Sequence, residues 1–132
     1  MKWLLLLPSL AYGNEMFCLT QNIYHESRGE SLQGQIAVAY VTLNRVDSNE
    51  FPNTICEVVH QDCQFSWRCK PPEPINVEKW NEAKKLANSI LTHENPIKGS
   101  VYYYNPRKSA PSWRRKYCSK YVDIENHRFC LS

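Results

Sequence analysis

Glu26 is the residue whose type and position most directly suggest chemistry. In the run MFCLTQNIYHESRGE, Met16 to Glu30, a helical reading puts Met16, Leu19, Ile23 and Glu26 on one face, at steps of three, four and three. A carboxyl group that completes an otherwise apolar stripe faces low-dielectric packing. Such packing disfavours the ionised form and raises the pKa, which makes Glu26 a candidate proton donor near neutral pH. The plainer alternative is that Glu26 ends the stripe at the solvent boundary and pairs with Arg28 or Arg45. Glu30 lies four residues on and would share the face if the helix continued, but Gly29 is expected to break it.

Other groupings are weaker. Ser27 or Ser66 with His25 or His127 gives a Ser-His pair on paper, but no G-x-S-x-G elbow is present. Six cysteines (18, 56, 63, 69, 118 and 130) form an even set suited to an oxidising compartment and allow 15 pairings. A Cys-His peptidase would need one of them free. Cys56 and His60, four residues apart with Cys63 and Cys69 nearby, allow a zinc reading, but there is neither a C-x-x-C pair nor an H-E-x-x-H motif. Gln64-Phe65-Ser66-Trp67 sits between two cysteines, and Tyr103-Tyr104-Asn105 precedes a proline, so two loops present aromatic and amide groups. Phe65 and Trp67 read equally well as core filler.

The elements that would position these residues follow from pattern. The first helix is expected from about Glu15 to Arg28, with Gly29 as its left-handed stop. Ser31 caps a second, largely apolar helix carrying Leu32, Ile36, Ala39, Tyr40 and Leu43, the central core helix, whose polar end places Arg45 within reach of Glu30 or Asp47. Thr54-x-x-Glu57 is a capping box for a short third helix to about His60. Lys70 to Pro74, KPPEP, is loop. Asn76 caps a fourth helix whose inner face reads Val77, Trp80, Ala83, Ala87, Ile90 and Leu91. Val101 to Tyr104, Tyr121 to Ile124 and Arg128 to Cys130 are strand candidates, with Glu125-Asn126 as a turn. On a strand, Tyr103 and Tyr104 point to opposite faces, so one of the two is expected in a cleft. The whole is a single α+β domain in which several helices surround a central core helix beside a small antiparallel β-sheet.

The 132 residues suit one core. Met1 to Gly13 reads as a secretory signal, with Lys2, an apolar run Trp3 to Leu10 and a small-x-small site at Ala11-Tyr12-Gly13. The mature domain would then be 14–132. The apolar run is far shorter than the ~20 residues a membrane span needs, so no stable membrane anchor is expected. A net charge of +3 is a modest aid toward an anionic surface. Arg107-Lys108 and Arg114-Arg115-Lys116 lack the aromatic-basic signature of nucleic-acid modules and read as solvated surface.

The wording YHESRGESLQGQIAVAYVTLNRV, followed by FPNTICEVV, QFSW, YYYNP and a terminal NHRFC, resembles the catalytic domain of SleB-type cell wall hydrolases, from about Cys18 onward. The resemblance implies a lysozyme-like domain that cuts the glycan strand of peptidoglycan, needs no cofactor or metal, and takes the first Glu of an E-A-R-G-E motif as its acid. Here that motif is Glu26, Ser27, Arg28, Gly29, Glu30, with Ser27 the one departure. It further implies glycan contacts from Gln64, Phe65, Ser66, Trp67, Tyr103, Tyr104, Asn105 and Trp113, with His127 in or under the cleft. A lytic transglycosylase uses one carboxyl as acid and then base while the muramic acid C6 hydroxyl attacks C1. A muramidase would need a second carboxylate, Glu30 or Asp123, to activate water. The expected partner is the peptidoglycan strand, met by a monomer outside the membrane. The non-enzyme alternative is a module that binds peptidoglycan without cutting it.

Overall fold

The computed structural model describes residues 9–131, with side chains from Gly13 onward. Most of the expected leader, residues 1–8, lies outside the described residues. Helix α1 (Ser9–Ser27) starts earlier than the expected Glu15, since no proline interrupts 9–14 and the helix runs back through it. Its stripe is as read: Met16, Leu19 and Ile23 are buried. Each such side chain contributes about 1.5–3 kcal/mol.

Gly29 does not stop α1 by a left-handed turn, because among the described residues only Gly99, Cys63 and Glu125 have positive φ. The chain turns through 28–30, the Glu30 amide donating to the Ser27 carbonyl at 2.9 Å. Ser31 then caps α2 (Leu32–Val46), its hydroxyl accepting from the Gly34 amide. Eleven consecutive buried positions are more than one stripe needs. Helix α2 is instead buried nearly all round from Ile36 to Val46, as a central helix must be.

Thr54 caps α3 (Ile55–Val59) through the Glu57 amide, as the capping box predicts. A second acceptor was not legible: buried Glu15 on α1 takes the Ile55 amide at 2.6 Å and the Cys56 amide at 3.2 Å. A carboxylate at a helix N-terminus compensates the orphan donors and the dipole there. Helix α4 (Val77–Ser89) begins at the Asn76 cap. Its inner face is Trp80, Ala83, Leu86, Ala87 and, just beyond the helix end, Ile90. Val77 and Leu91 are exposed, contrary to the periodic reading, because the 3-10 turn Ile90–Thr92 rotates the end of the stripe and the first turn overhangs solvent.

The sheet has order β1-β3-β2, all antiparallel, from β1 (Tyr102–Tyr104), β2 (Tyr121–Ile124) and β3 (His127–Cys130). Register pairs Tyr103 with Phe129 and Val122 with the same Phe129, which is fully buried. The short helix α5 (Arg114–Tyr117) precedes β2. All six cysteines are bonded, Cys18 to Cys56, Cys63 to Cys69 and Cys118 to Cys130, so none is left as a thiol nucleophile or thiolate ligand. No helix among the described residues is long and apolar enough to cross a membrane.

Candidate active site

The end of α1 faces a cleft of about 660 Å³. Glu26 is the only carboxyl group lining it among the described residues, and around it stand Arg45, Gln64, Ser66, Tyr102, Tyr103, Tyr104, Asn105, Trp113, Tyr117 and His127. Tyr103 donates its hydroxyl to Glu26 Oε1. Burial raises the Glu26 pKa, and this outweighs the opposing pull of the Tyr103 hydrogen bond and of the Arg45 and Lys70 charges. The same burial, with the neighbouring carboxylate, lifts the Tyr103 phenol well above 10, so it stays a donor. The site therefore holds a carboxyl group whose neutral form is favoured by burial and which is fixed in direction by one hydrogen bond.

Sequence reasoning offered Arg45 as a partner for Glu26, Glu30 or Asp47, but not its fixed place in the cleft wall. Only 4% exposed, it reaches neither Glu30 nor Asp47 but donates from Nε to the Val101 carbonyl at 2.8 Å. Its guanidinium lies 4.9 Å from the Phe51 ring centroid, 4.8 Å from Phe65 and 5.8 Å from Tyr102. Its Nη1 has no hydrogen-bond partner, and no carboxylate lies within ion-pair distance of it among the described residues. A cation is thus kept in the cleft wall by aromatic faces, with Glu26 as the carboxyl group that feels it. The preceding Asn44 donates to the Ile97 and Ser100 carbonyls at 3.0 and 2.8 Å, so the end of α2 anchors the loop into β1.

The two aromatic loops divide. Tyr103, Tyr104, Asn105 and Trp113 all line the cleft, as does Tyr102; Trp113 packs against Tyr102 at 5.3 Å and edge-on to Tyr104 at 5.6 Å. Both Tyr103 and Tyr104 reach it, where one was expected, because β1 ends at the cleft mouth rather than running along one wall. Gln64 and Ser66 are exposed on the opposite lip. Phe65 is a partial correction: it lines the cleft, but at 2% exposed it is packed as core and supports Arg45 instead of offering an open stacking face. Trp67 is another, since its indole points away from the cleft, donates to buried Asn22 at 2.8 Å and stacks on His25 at 4.3 Å and 18°.

Glu30, predicted beside Glu26 in catalysis, does not line the cleft. Its carboxylate lies 3.3 Å from His127 Nδ1, although not aligned for a hydrogen bond, and accepts from Asn126 at 2.9 Å. His127 meets Tyr103 edge-on at 5.1 Å and so sits beneath the acid's hydrogen-bond partner. Burial lowers its pKa, with Glu30 partly opposing. Its partner is a carboxylate, not the backbone carbonyl expected of a structural histidine. Asp123 is exposed and engaged with Arg128 at 2.8 and 3.0 Å.

The family model described as Cell Wall Hydrolase matches residues 29–130. The chain belongs to this cell wall hydrolase family. It is 34% identical over 119 residues to a spore cortex-lytic enzyme of Bacillus cereus, covering 89% of this chain and 44% of that protein. With the Bacillus subtilis spore cortex-lytic enzyme it shares 29% over 107 residues, 81% of this chain and 34% of that one. The chain therefore spans less than half the length of these curated relatives. The catalytic domain of the germination-specific lytic transglycosylase SleB from Bacillus anthracis superposes with a TM-score of 0.72 at 30% identity, over 94% of this chain and 99% of that domain. The Bacillus cereus SleB catalytic domain gives 0.68 at 30%, over 89% and 90%. The helices and small antiparallel sheet of this cell wall hydrolase domain thus form the α+β fold that the residue pattern implied, lysozyme-like as the family resemblance implied.

Proposed function

We propose that this domain cleaves the glycan strand of peptidoglycan as a lytic transglycosylase, with Glu26 as the sole acid-base group. The observation that carries the reading is a single desolvated carboxyl group in an aromatic-walled cleft. Glu26 protonates the glycosidic oxygen as the C1–O bond breaks. Its carboxylate, stabilised by the Tyr103 hydroxyl and by Arg45, then takes the proton of the muramic acid C6 hydroxyl as that oxygen closes on C1. Proton transfer of this kind supplies about 10²–10⁴ in rate. Hydrolysis would need a second carboxylate at ~5 Å or ~6.5–9.5 Å to act on C1 or on water. Glu30 is held behind His127 and Asp123 by Arg128, which favours ring closure over water attack. A mere binding module has no use for an acid held in this way. Glycan contacts come from Gln64, Ser66, Tyr104, Asn105 and Trp113, whereas Phe65 and Trp67 shape the lip. The three disulfides fit an oxidising, exported setting, with Met1–Gly13 as the leader. The site is built within one chain, consistent with a monomer.

Mass spectrometry of digested walls tests this. Products ending in 1,6-anhydromuramic acid are expected. Reducing ends carrying solvent oxygen would replace ring closure by hydrolysis, and intact walls would leave a binding module.

A further inference from the structure

A second concavity of about 340 Å³ lies beside the end of α1, lined by Gln21, His25 and the run Trp67, Arg68, Lys70, Pro71, Pro72, Glu73 and Ile75. That volume is at the lower end of the roughly 300–1,000 Å³ typical of small-ligand sites. Its wall is preorganised. The Trp67 indole is fixed by Asn22, which is itself fully buried and donates to Thr42 at 3.1 Å, and its face is stacked on His25. Burial and the nearby Arg28 charge lower the His25 pKa, so this ring is neutral at neutral pH.

Above the apolar wall stand two exposed cations. Arg68, its guanidinium 5.9 Å from the Trp67 ring centroid, and Lys70 have no carboxylate within ion-pair distance among the described residues, whereas Arg28 at the far end is already paired with Glu73 at 3.7 Å. The concavity is therefore apolar at its base, and its rim carries two unpaired cations beside one carboxylate, Glu73, that Arg28 already engages. It is also joined to the cleft by a shared loop. The loop closed by Cys63–Cys69 lines the cleft with its first half and the concavity with its second. His25 and Glu26 are neighbours in sequence, and the Lys70 charge acts on Glu26.

We infer that this concavity binds the stem peptide of peptidoglycan, an anionic peptide of small residues, beside the bond cut in the cleft. The inference rests on the proposed substrate, since a glycan strand lying past Glu26 carries such a peptide on its muramic acid. Alanine methyls meet Trp67 and Ile75, and the peptide carboxylates meet Arg68 and Lys70.

Titrating the isotope-labelled protein with the free tetrapeptide L-Ala-γ-D-Glu-diaminopimelate-D-Ala tests the site without requiring cleavage. Saturable shifts of the Trp67 indole N–H and the Arg68 and Ile75 amides are expected, weakened by salt and about tenfold or more by Arg68→Glu, as when one charge-assisted contact becomes repulsive. No shift at Trp67, or shifts confined to Tyr102–Asn105, would overturn it, as would binding indifferent to Arg68→Glu. In parallel, wall glycan stripped of its peptides by an amidase should be cut with lower kcat/KM than intact strands. Equal rates would also overturn the site. Failure to cut either substrate while the peptide still binds would count against the glycan reading and leave the peptide site standing.

Discussion

At the scale of single residues, the protonation of Glu26 is set by a contest between desolvation and the Tyr103, Arg45 and Lys70 groups, with desolvation winning. In the unfolded chain the same carboxyl ionises near the ordinary ~4.3. The fold therefore loses stability as pH rises from that value through the raised one, because a charge must then be kept in a site that disfavours it. Glu26→Gln removes the charge and keeps an oxygen for the Tyr103 hydroxyl. It should melt at least as high as wild type at neutral pH, with the difference fading in acid, while wall clearance falls by about 10²-fold or more. A normal clearing rate would remove Glu26 as the acid. Arg45 supplies a second test. Its charge lowers the Glu26 pKa, so Arg45→Met should carry the alkaline limb of the activity profile to higher pH and slow the plateau, while Arg45→Lys should leave the limb near its wild-type position. The groups facing Glu26 from the other elements, Tyr103 on β1, His127 on β3 and Lys70 in the loop, are unchanged in both variants. A merely structural Arg45 would lower activity in both without moving the limb.

At the scale of elements, the β2–β3 turn fastens the site to the junction of α1 and α2. Glu125, at positive φ, accepts the Ser31 amide at 3.2 Å, Asn126 donates to Glu30, and His127 stands against the same carboxylate. The pull of Ser31 lowers the Glu125 pKa. Because Glu30 holds this turn rather than the substrate, Glu30→Ala should cost about 1–3 kcal/mol of stability by stranding its partners, and reduce kcat far less than Glu26→Gln does. A loss as deep as that of Glu26→Gln, at unchanged melting temperature, would return Glu30 to the chemistry. The helices were legible because their signals are local: the Ser31, Thr54 and Asn76 caps each act on an amide three residues on. The desolvated setting of Glu26 was legible as well, from its stripe. What periodicity does not encode is contact across long separations. Tyr103 meets Glu26 across 77 residues, Arg45 reaches Val101 across 56, and Trp67 is turned from the cleft by Asn22, 45 residues away. The separation that pairs Glu15 with the α3 amides is likewise beyond any local signal.

At the scale of the molecule, the disulfides distribute stability unevenly, and the distribution separates folding from function. Cys18–Cys56 closes 38 residues and joins α1 to α3 beside the Glu15 cap, Cys118–Cys130 closes 12 and ties the segment before β2 to the end of the central strand β3, and Cys63–Cys69 closes 6 around the loop between cleft and concavity. Loop-closure entropy alone assigns them about 4, about 3 and about 2 kcal/mol. Domains of this size have only about 5–15 kcal/mol in hand, so replacing Cys18 and Cys56 by Ser should bring the domain close to unfolding, with a marked drop in the urea midpoint. Replacing Cys63 and Cys69 should lower the midpoint least. Yet this pair holds the backbone that carries Gln64 and Ser66 to the cleft and Trp67 to the wall of the concavity, with Cys63 itself at positive φ. Its loss should therefore cost more activity per unit of stability than either other pair, read as wall clearance against urea midpoint across the three double variants. Activity that simply tracks the midpoints in all three would show that the loop keeps its geometry without the bond.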